Sequence, residues 1–486
     1  SISNSEVHLL LDRLELPNLG QRIYYTCIDV SRHLLACGAN TGSVYLFERR
    51  ESYSSNATHK LNLVETTASV GEPVTRVSFS RDGKKLALSS SSGTIRIVKL
   101  NLGSLRQKQE VTQTNTVHKG STVTSLKWDY GGKRLFSGDT KGVVSSIILS
   151  DNKVTSLFSK PEIYYRGESP IVQLDFQVFD AVQWVLISTR KRCIVFELEA
   201  DSVGSSGGDK TSIVKPKQVG RKLRDGPFGA CFCEPEDQKV STLMKSLTAE
   251  QDKKAAAAGQ GDAVGPQASK SPFFIYAARP GRRVWLANGL SQTVLCTLKP
   301  TLEMKQTCFL LETESDPTEK PSLDFGRVMR FRSSLGGDFS KEAKALLLSW
   351  NSSTIFLINT DMPVFTGARV LQWHIDLGEI HDLALSGSSC SENNAAFYVL
   401  HGKQRALSRV IALETVPFLH SQYLSRMPLD WCLKSCVEHE INNRVVLQKI
   451  HRRLQSELPE DRAEEDEGGE ENSAEDSAIV QNFLDL

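Results

Sequence analysis

Few side chains in this 486-residue chain have the types and spacing for chemistry. Arg279, Arg282 and Arg283 fall together in ARPGRR, where clustered guanidiniums at a turn can bind phosphate or an acidic partner. A solvated edge is the plainer account of that candidate partner patch and of Arg190-Lys191-Arg192. Ten cysteines are present, but Cys231-Phe-Cys233 and Cys432–Cys436 lack the paired CxxC spacing of a zinc site. Buried free thiols are therefore expected, with no metal and no cofactor. No G-x-S-x-G, HExxH or paired-carboxylate signature occurs, and the GQGDAVGP tract lacks the lysine of a phosphate-binding loop. The chain reads as catalytically inert.

The elements that must position these residues are strands. In VTSLKW, residues 123–128, side chains alternate with the two-residue period of a strand. Asp129-Tyr130-Gly131-Gly132-Lys133 makes a turn, RLFSG a second strand, Asp139-Thr140-Lys141-Gly142 another turn, and VVSSIIL a third strand. The same antiparallel meander lies over VTRVSFSRDGKKLALSSSSGTIRIVKL and YTCIDVSRHLLACGANTGSVYLFERR. Matching Ile28, Val77 and Leu126 gives steps of 49 residues, and Gly42, Gly93 and Gly142 nearly keep that step. A small sheet cannot bury both faces alone, so a repeat of this length implies a ring of sheets.

His118-Lys119, SLKWDYGGKRLFSG and the glycine-closed turn resemble a WD-repeat, with His118, Trp128, Asp139 and Gly142 as the blade motif. That resemblance implies a hydrogen bond between a histidine before the first strand and an aspartate of the later turn; His381 and His401 fall near blade starts or turns and read the same way. Lys141 stands where the usual aspartate precedes the turn glycine, and the third strands end YLFE, RIVK and SIIL without Trp-Asp. A degenerate ring held by aliphatic packing is the expectation. Further blades are readable in IVQLDF/WVLISTR/CIVFELE, in VMRFRSS/ALLLSWNSSTIFLIN and in IHDLALSG/AAFYVLHG/LSRVIAL. The fold class is all-β, a seven-bladed WD-repeat-like β-propeller with a short α-helical C-terminal extension and a disordered acidic tail.

Blade five carries a more specific signature. Arg224-Asp225-Gly226 before Gly229-Ala230-Cys231-Phe232, then Arg279-Pro280-Gly281 and Trp285, with QVG at 218–220, resemble the N-terminal propeller of the Hermansky-Pudlak syndrome 5 protein family, with tectonin β-propeller repeat-containing protein 2 close behind. Gly226, Gly229 and Gly281 would supply turns, and Trp285 would pack between blades. The resemblance implies a non-enzymatic interaction scaffold in endosomal trafficking, working in biogenesis of lysosome-related organelles complex two and directing cargo to melanosomes. It implies protein partners within that complex, a cytoplasmic location on endosomes, and membrane association only through partners. The tectonin relative implies an autophagy or secretory-export factor instead.

The domain reading is a helical lead-in over 1–20 with leucines on one face of VHLLLDRLEL, a propeller over 21–418 with a disordered insert at about 234–271, a helical extension over 419–458 and an acidic tail over 459–486. Phe483 and Leu486 form a candidate short docking motif behind the acidic run, of the spacing read by ubiquitin-like autophagy modifiers. Lys and Arg total 58 against 57 for Asp and Glu, so the composition carries no nucleic-acid footprint. No apolar run reaches the roughly 18 residues of a membrane span, and SISNSEVHLLLDRLELP has no basic signal-peptide start. Lacking an initiator methionine, the chain is expected to be an excised part of something longer.

Overall fold

The computed structural model describes residues 7–17, 22–49, 63–66, 72–101, 110–149, 161–198, 216–233, 272–300, 308–310, 325–332, 345–359, 369–370, 372–377, 379–385, 396–414, 429, 432–433, 436 and 444–457. Seven sheets stand around one axis, each of four antiparallel strands running from an inner strand outward, two of them with a short parallel strand added at the edge. Blade one is Tyr25–Val30, Leu34–Ala39, Val44–Glu48 and Leu63–Thr66; blade two is Val74–Phe79, Lys85–Ser90, Ile95–Lys99 and Glu110–Asn115. Blade three is Val123–Trp128, Arg134–Asp139, Val143–Ile148 and Glu162–Arg166; blade four is Ile171–Phe179, Val182–Thr189, Cys193–Leu198 and Lys217–Gln218. Blade five is Ala230–Phe232, Phe274–Arg279, Arg283–Asn288 and Val294–Pro300, with Arg369–Val370 at its edge. Blade six is Arg327–Arg332, Ala345–Trp350, Thr354–Asn359 and Gln372–Asp376.

The 49-residue step survives as geometry. Ile28, Val77 and Leu126 occupy the same register of their inner strands, opposite Cys37, Leu88 and Ser137. Gly42, Gly93 and Gly142 all take positive φ, between 82° and 89°. At Gly93 a Cβ would lie 1.9 Å from the carbonyl oxygen of His118, so this turn needs glycine for room as well as for φ.

Burial explains why the sheets form a ring. Each apolar cluster is shared by two neighbouring blades: Leu46, Phe79 and Leu88 join one to two, Ile97 and Trp128 two to three, Phe136 and Phe176 three to four, Val195 and Phe273 four to five. Tyr276 and Phe356 join five to six, Leu348 and Phe397 six to seven, and Tyr398 and Phe47 seven back to one. Trp285 packs into the four-to-five cluster, as expected of it.

Blade seven holds the main departure from sequence. Its inner three strands are Ile380–Leu385, Ala396–His401 and Ala406–Glu414, and its fourth is Val7–Leu14 from the start of the chain. The helical lead-in is thus corrected to a strand, paired antiparallel from Val7↔Glu414 to Leu14↔Leu407 and flanked in parallel by Cys308–Leu310. A short leucine run fits either period, and the open edge of Ala406–Glu414 offers backbone partners that a helix would leave unpaired. At the other end Arg444–Glu457 is the helix of the C-terminal extension, burying Val446, Ile450 and Leu454 at four-residue spacing. The insert at 234–271, the acidic run and Phe483 and Leu486 lie outside the described residues.

Deleting residues 1–14 exposes the Ala406–Glu414 edge. The expected result is a lower melting temperature with self-association on size-exclusion chromatography; an unchanged monomer would contradict ring closure by this strand. Leu14→Ala, a buried truncation, should cost about 2–4 kcal/mol in denaturant titration.

Candidate interaction surface

Polar groups of the inner strands hold the ring at its axis. In blades one, two, three, four and seven a bulge interrupts the innermost ladder at one equivalent place, beside Thr26, Thr75, Thr124, Val172 and His381. Such a bulge re-aims the extra side chain. Thr26 Oγ1 donates to the carbonyl oxygen of Val74 and Thr124 Oγ1 to that of Ile171, each at 2.7 Å and each in the next blade. One or three residues on, side-chain oxygens accept the next blade's N–H groups: Asp29 from Phe79 at 2.6 Å, Ser125 from Leu174 at 3.0 Å, Asp175 from Phe232 at 2.9 Å, Asp382 from Ile28 at 3.0 Å.

Other bonds join blades that are not neighbours. Arg76 of blade two reaches Asp382 of blade seven at 3.0 Å, past the small Cys27 of blade one. Arg327 of blade six lies 3.9 Å from the same carboxylate and donates to the carbonyl oxygen of Thr124 in blade three at 3.3 Å, across the axis. Gln173 of blade four brackets Val328 of blade six, donating to its carbonyl at 2.6 Å and accepting its N–H at 3.1 Å. Burial pushes Asp29 up to about 7, with the Asp382 charge adding to it against the Phe79 N–H and Lys127. None of Arg76, Gln173, Arg327 and Asp382 sits in a recognisable motif. The signal that finds them is a charge or amide beside the conserved-register aliphatic of an inner strand, in TRV, VQL, GRV and HDL.

Blade three carries the hydrogen-bonded motif whose loss the Lys141 substitution suggested. His118 Nδ1 meets Asp139 Oδ2 at 2.8 Å, and His118 Nε2 meets Ser137 Oγ at 2.8 Å and Ser145 Oγ at 3.0 Å, all buried. Asp139, the motif aspartate named from sequence, stands two residues before the position the repeat usually uses, and takes the role because its other oxygen accepts the N–H groups of Lys141 and Val143 and so caps the turn itself. Burial works against that carboxylate, but His118, the Val143 N–H and Ser121 hold its pKa below the usual range. Trp128 Nε1 donates to the carbonyl oxygen of Ser78 at 3.0 Å, tying blade three to blade two. His381 Nε2 donates to the Gly402 carbonyl oxygen, 3.0 Å away, and burial pushes His401 down to about 4.

The blade-five signature forms a structural staple. Arg224 is only 4% exposed; it donates to the carbonyl oxygens of Ala278 at 2.7 Å, Thr189 at 3.3 Å and Arg192 at 3.4 Å, and to Ser188 Oγ. Arg279, 8% exposed, lies 3.9 Å over the Trp285 ring and donates to the Leu223 carbonyl at 2.7 Å. The proposed patch of three arginines is therefore corrected: Arg279 is buried by its cation–π contact, Arg282 is half-buried, and Arg283 is exposed. Asp225 and Pro280 are exposed, and Gly226 and Gly281 take positive φ as turns require. Gly229 serves close approach instead, since a Cβ there would lie 2.1 Å from Gln173 Oε1 and 2.8 Å from Arg327 Cα. Ala230, Cys231 and Phe232 are the buried inner strand. Burial pushes the Cys193 thiol up to about 11 and that of Cys27 to about 12, so neither is a ready nucleophile. Among the described residues no group of three His, Cys, Asp or Glu side chains is placed to hold a metal ion.

Seven sheets, a His–Ser–Asp network and glycine-closed turns define a WD-repeat β-propeller. The model of the WD domain, G-beta repeat, matches residues 63–99 and 109–145, each match running from the outermost strand of one blade into the third strand of the next. The sequence is similar to the BLOC-2 complex member HPS5 homolog of Drosophila melanogaster, 29% identical over 268 residues, 54% of this chain and 25% of that protein. It is 28% identical over 288 residues to BLOC-2 complex member HPS5 of Homo sapiens, 57% of this chain and 20% of that protein. Tectonin beta-propeller repeat-containing protein 2 of Homo sapiens is 26% identical over 355 residues, 70% of this chain and 20% of that protein. The resemblance to the Hermansky-Pudlak syndrome 5 proteins is borne out, and the chain spans a quarter or less of the length of these relatives.

Two substitutions test this geometry. Asp139→Asn keeps the shape and removes the charge paired with His118, and should cost about 1–3 kcal/mol at pH 7. Because the folded carboxylate has the lower pKa, its contribution is complete above the unfolded value of about 3.9 and fades as pH falls through the folded one. Denaturant titrations of the two proteins should therefore converge in acid. Gly229→Ala should lower stability by about 2–3 kcal/mol through the clash, against about 1 kcal/mol for Gly281→Ala, which meets only Arg283 Nε at 3.8 Å and bears the cost of φ alone.

Proposed function

We propose that this propeller is a non-enzymatic protein-interaction scaffold in endosomal vesicle trafficking, serving lysosome-related organelle biogenesis as a subunit of a multi-subunit complex. The observation that carries the reading is the similarity to proteins described as BLOC-2 complex members in Drosophila melanogaster and Homo sapiens. The geometry supports it: inner-strand polar groups are spent on holding blades together, and the exposed turns and rim are left for partners. No helix among the described residues is long and apolar enough to cross a membrane, in keeping with a cytoplasmic scaffold recruited to endosomes.

A second reading, an autophagy or secretory-export factor that binds ubiquitin-like autophagy modifiers, is favoured by one observation: the match to the tectonin protein covers 70% of this chain, more than the 54% and 57% covered by the HPS5 matches. Co-purification from cells separates the two. Chain with its natural continuation, and chain ending at Leu486, should both recover the other subunits of the trafficking complex if the propeller is the docking surface. Recovery by the long form alone moves assembly to the continuation, and autophagy modifiers without those subunits would sink the first reading.

A further inference from the structure

On one face of the ring, the turn 190–192 of blade four, the link 219–229 and the turn 280–282 of blade five converge. The buried arginines join them: the Arg224 N–H donates to the Lys191 carbonyl at 3.1 Å, its guanidinium to that of Arg192, and Arg279 to that of Leu223. Every partner that the described residues give these two guanidiniums is a neutral oxygen or the Trp285 ring. Their charge is therefore built in without a carboxylate to cancel it. Above them Arg190, Lys191, Arg192, Arg221, Lys222 and Arg283 are exposed, with Glu168 and Asp225 the acids beside them; Asp225 reaches Arg190 at 3.5 Å. In a chain of net charge +1 this is a local accumulation of positive charge. At its crest, between Lys222 and Arg224, Leu223 is 56% exposed, the most exposed large apolar side chain among the described residues.

We propose that this crest docks directly on an anionic phospholipid surface, with Leu223 entering the headgroup layer and the surrounding lysines and arginines meeting lipid phosphates. This adds a direct contact to an association that sequence alone routes through protein partners. The chemistry favours a lipid surface over an acidic peptide. A strand-like peptide needs a sheet edge, and the described blade-four edge is the two-residue Lys217–Gln218; a helical peptide needs an apolar groove, and among the described residues of this crest Leu223 is the one exposed large apolar side chain. A planar anionic surface needs only a cluster of cations and one apolar tip held firmly.

Sedimentation of the full chain with vesicles of phosphatidylcholine, with and without phosphatidylserine, tests this. Binding should require phosphatidylserine and weaken with salt. Lys191→Ser, Arg221→Ser and Lys222→Ser should each weaken it about fivefold. Leu223→Ser, which leaves every charge in place, should weaken it up to about tenfold. Lys84→Ser and Lys133→Ser remove exposed charges from the turns of the opposite face and should change nothing. Unaltered thermal melting of each variant separates lost docking from lost fold. Absence of binding, or equal loss in the Lys84 and Lys133 variants, would overturn the proposal. So would cross-links from Lys191 or Lys222 to the acidic run 464–471 without vesicle binding, which would give the crest to the chain's own C-terminal segment.

Discussion

Every sheet in this protein is apolar on both faces, and the structure depends on that one constraint. No blade can be stable alone, because each cluster of buried side chains is completed by the neighbour's, from Leu46 and Phe79 around to Tyr398 and Phe47. Seven such interfaces leave no blade with a free face. The ring is a closed chain of equal dependencies, which is why degenerate repeats suffice to build it. Aliphatic shape at each wedge carries the fold, and no single motif residue has to recur in every blade.

The polar residues that do matter divide among three tasks. At the axis, Arg76, Arg327, Asp382 and Gln173 connect blades that aliphatic packing cannot link, because they do not touch face to face. Away from the axis, Asp139 shows how a repeat can lose its usual residue and keep its function. The turn still needs an acceptor for two N–H groups and for the imidazole, and a carboxylate two positions earlier reaches all three. Arg224 and Arg279 take a third course, satisfying carbonyls at three turns at the cost of bringing two like charges under the same surface.

Much of this is legible in the sequence where local pattern and tertiary demand agree. The 49-residue step, the turn glycines and the inner strands of all seven blades are read from alternation and turn chemistry, because a blade is mostly local contacts. Val7–Leu14 is not, since the residues that decide its conformation, 407–414, lie some four hundred positions away. Arg279 is misread for a related reason: a basic cluster in a turn announces its charge, while the tryptophan that covers it is visible only once Arg279 and Trp285 share a sheet face. Gly229 reads as a turn residue, yet its use is to let Gln173 and Arg327 close over a three-residue inner strand, a crowding no local pattern encodes.

Closure by Val7–Leu14 has a temporal side. Leu9 pairs with Ala412, so a strand made before blade one is the last in the ring to find its partner. At about 5–20 residues per second, ribosomal synthesis leaves that leucine-rich segment without its mate for tens of seconds. Six blades can assemble as they emerge, but the molecule remains an open arc with an unsatisfied flank at each end until its final strands appear. Among the described strand pairs this one spans the greatest sequence separation, which makes ring closure a late and slow step in folding.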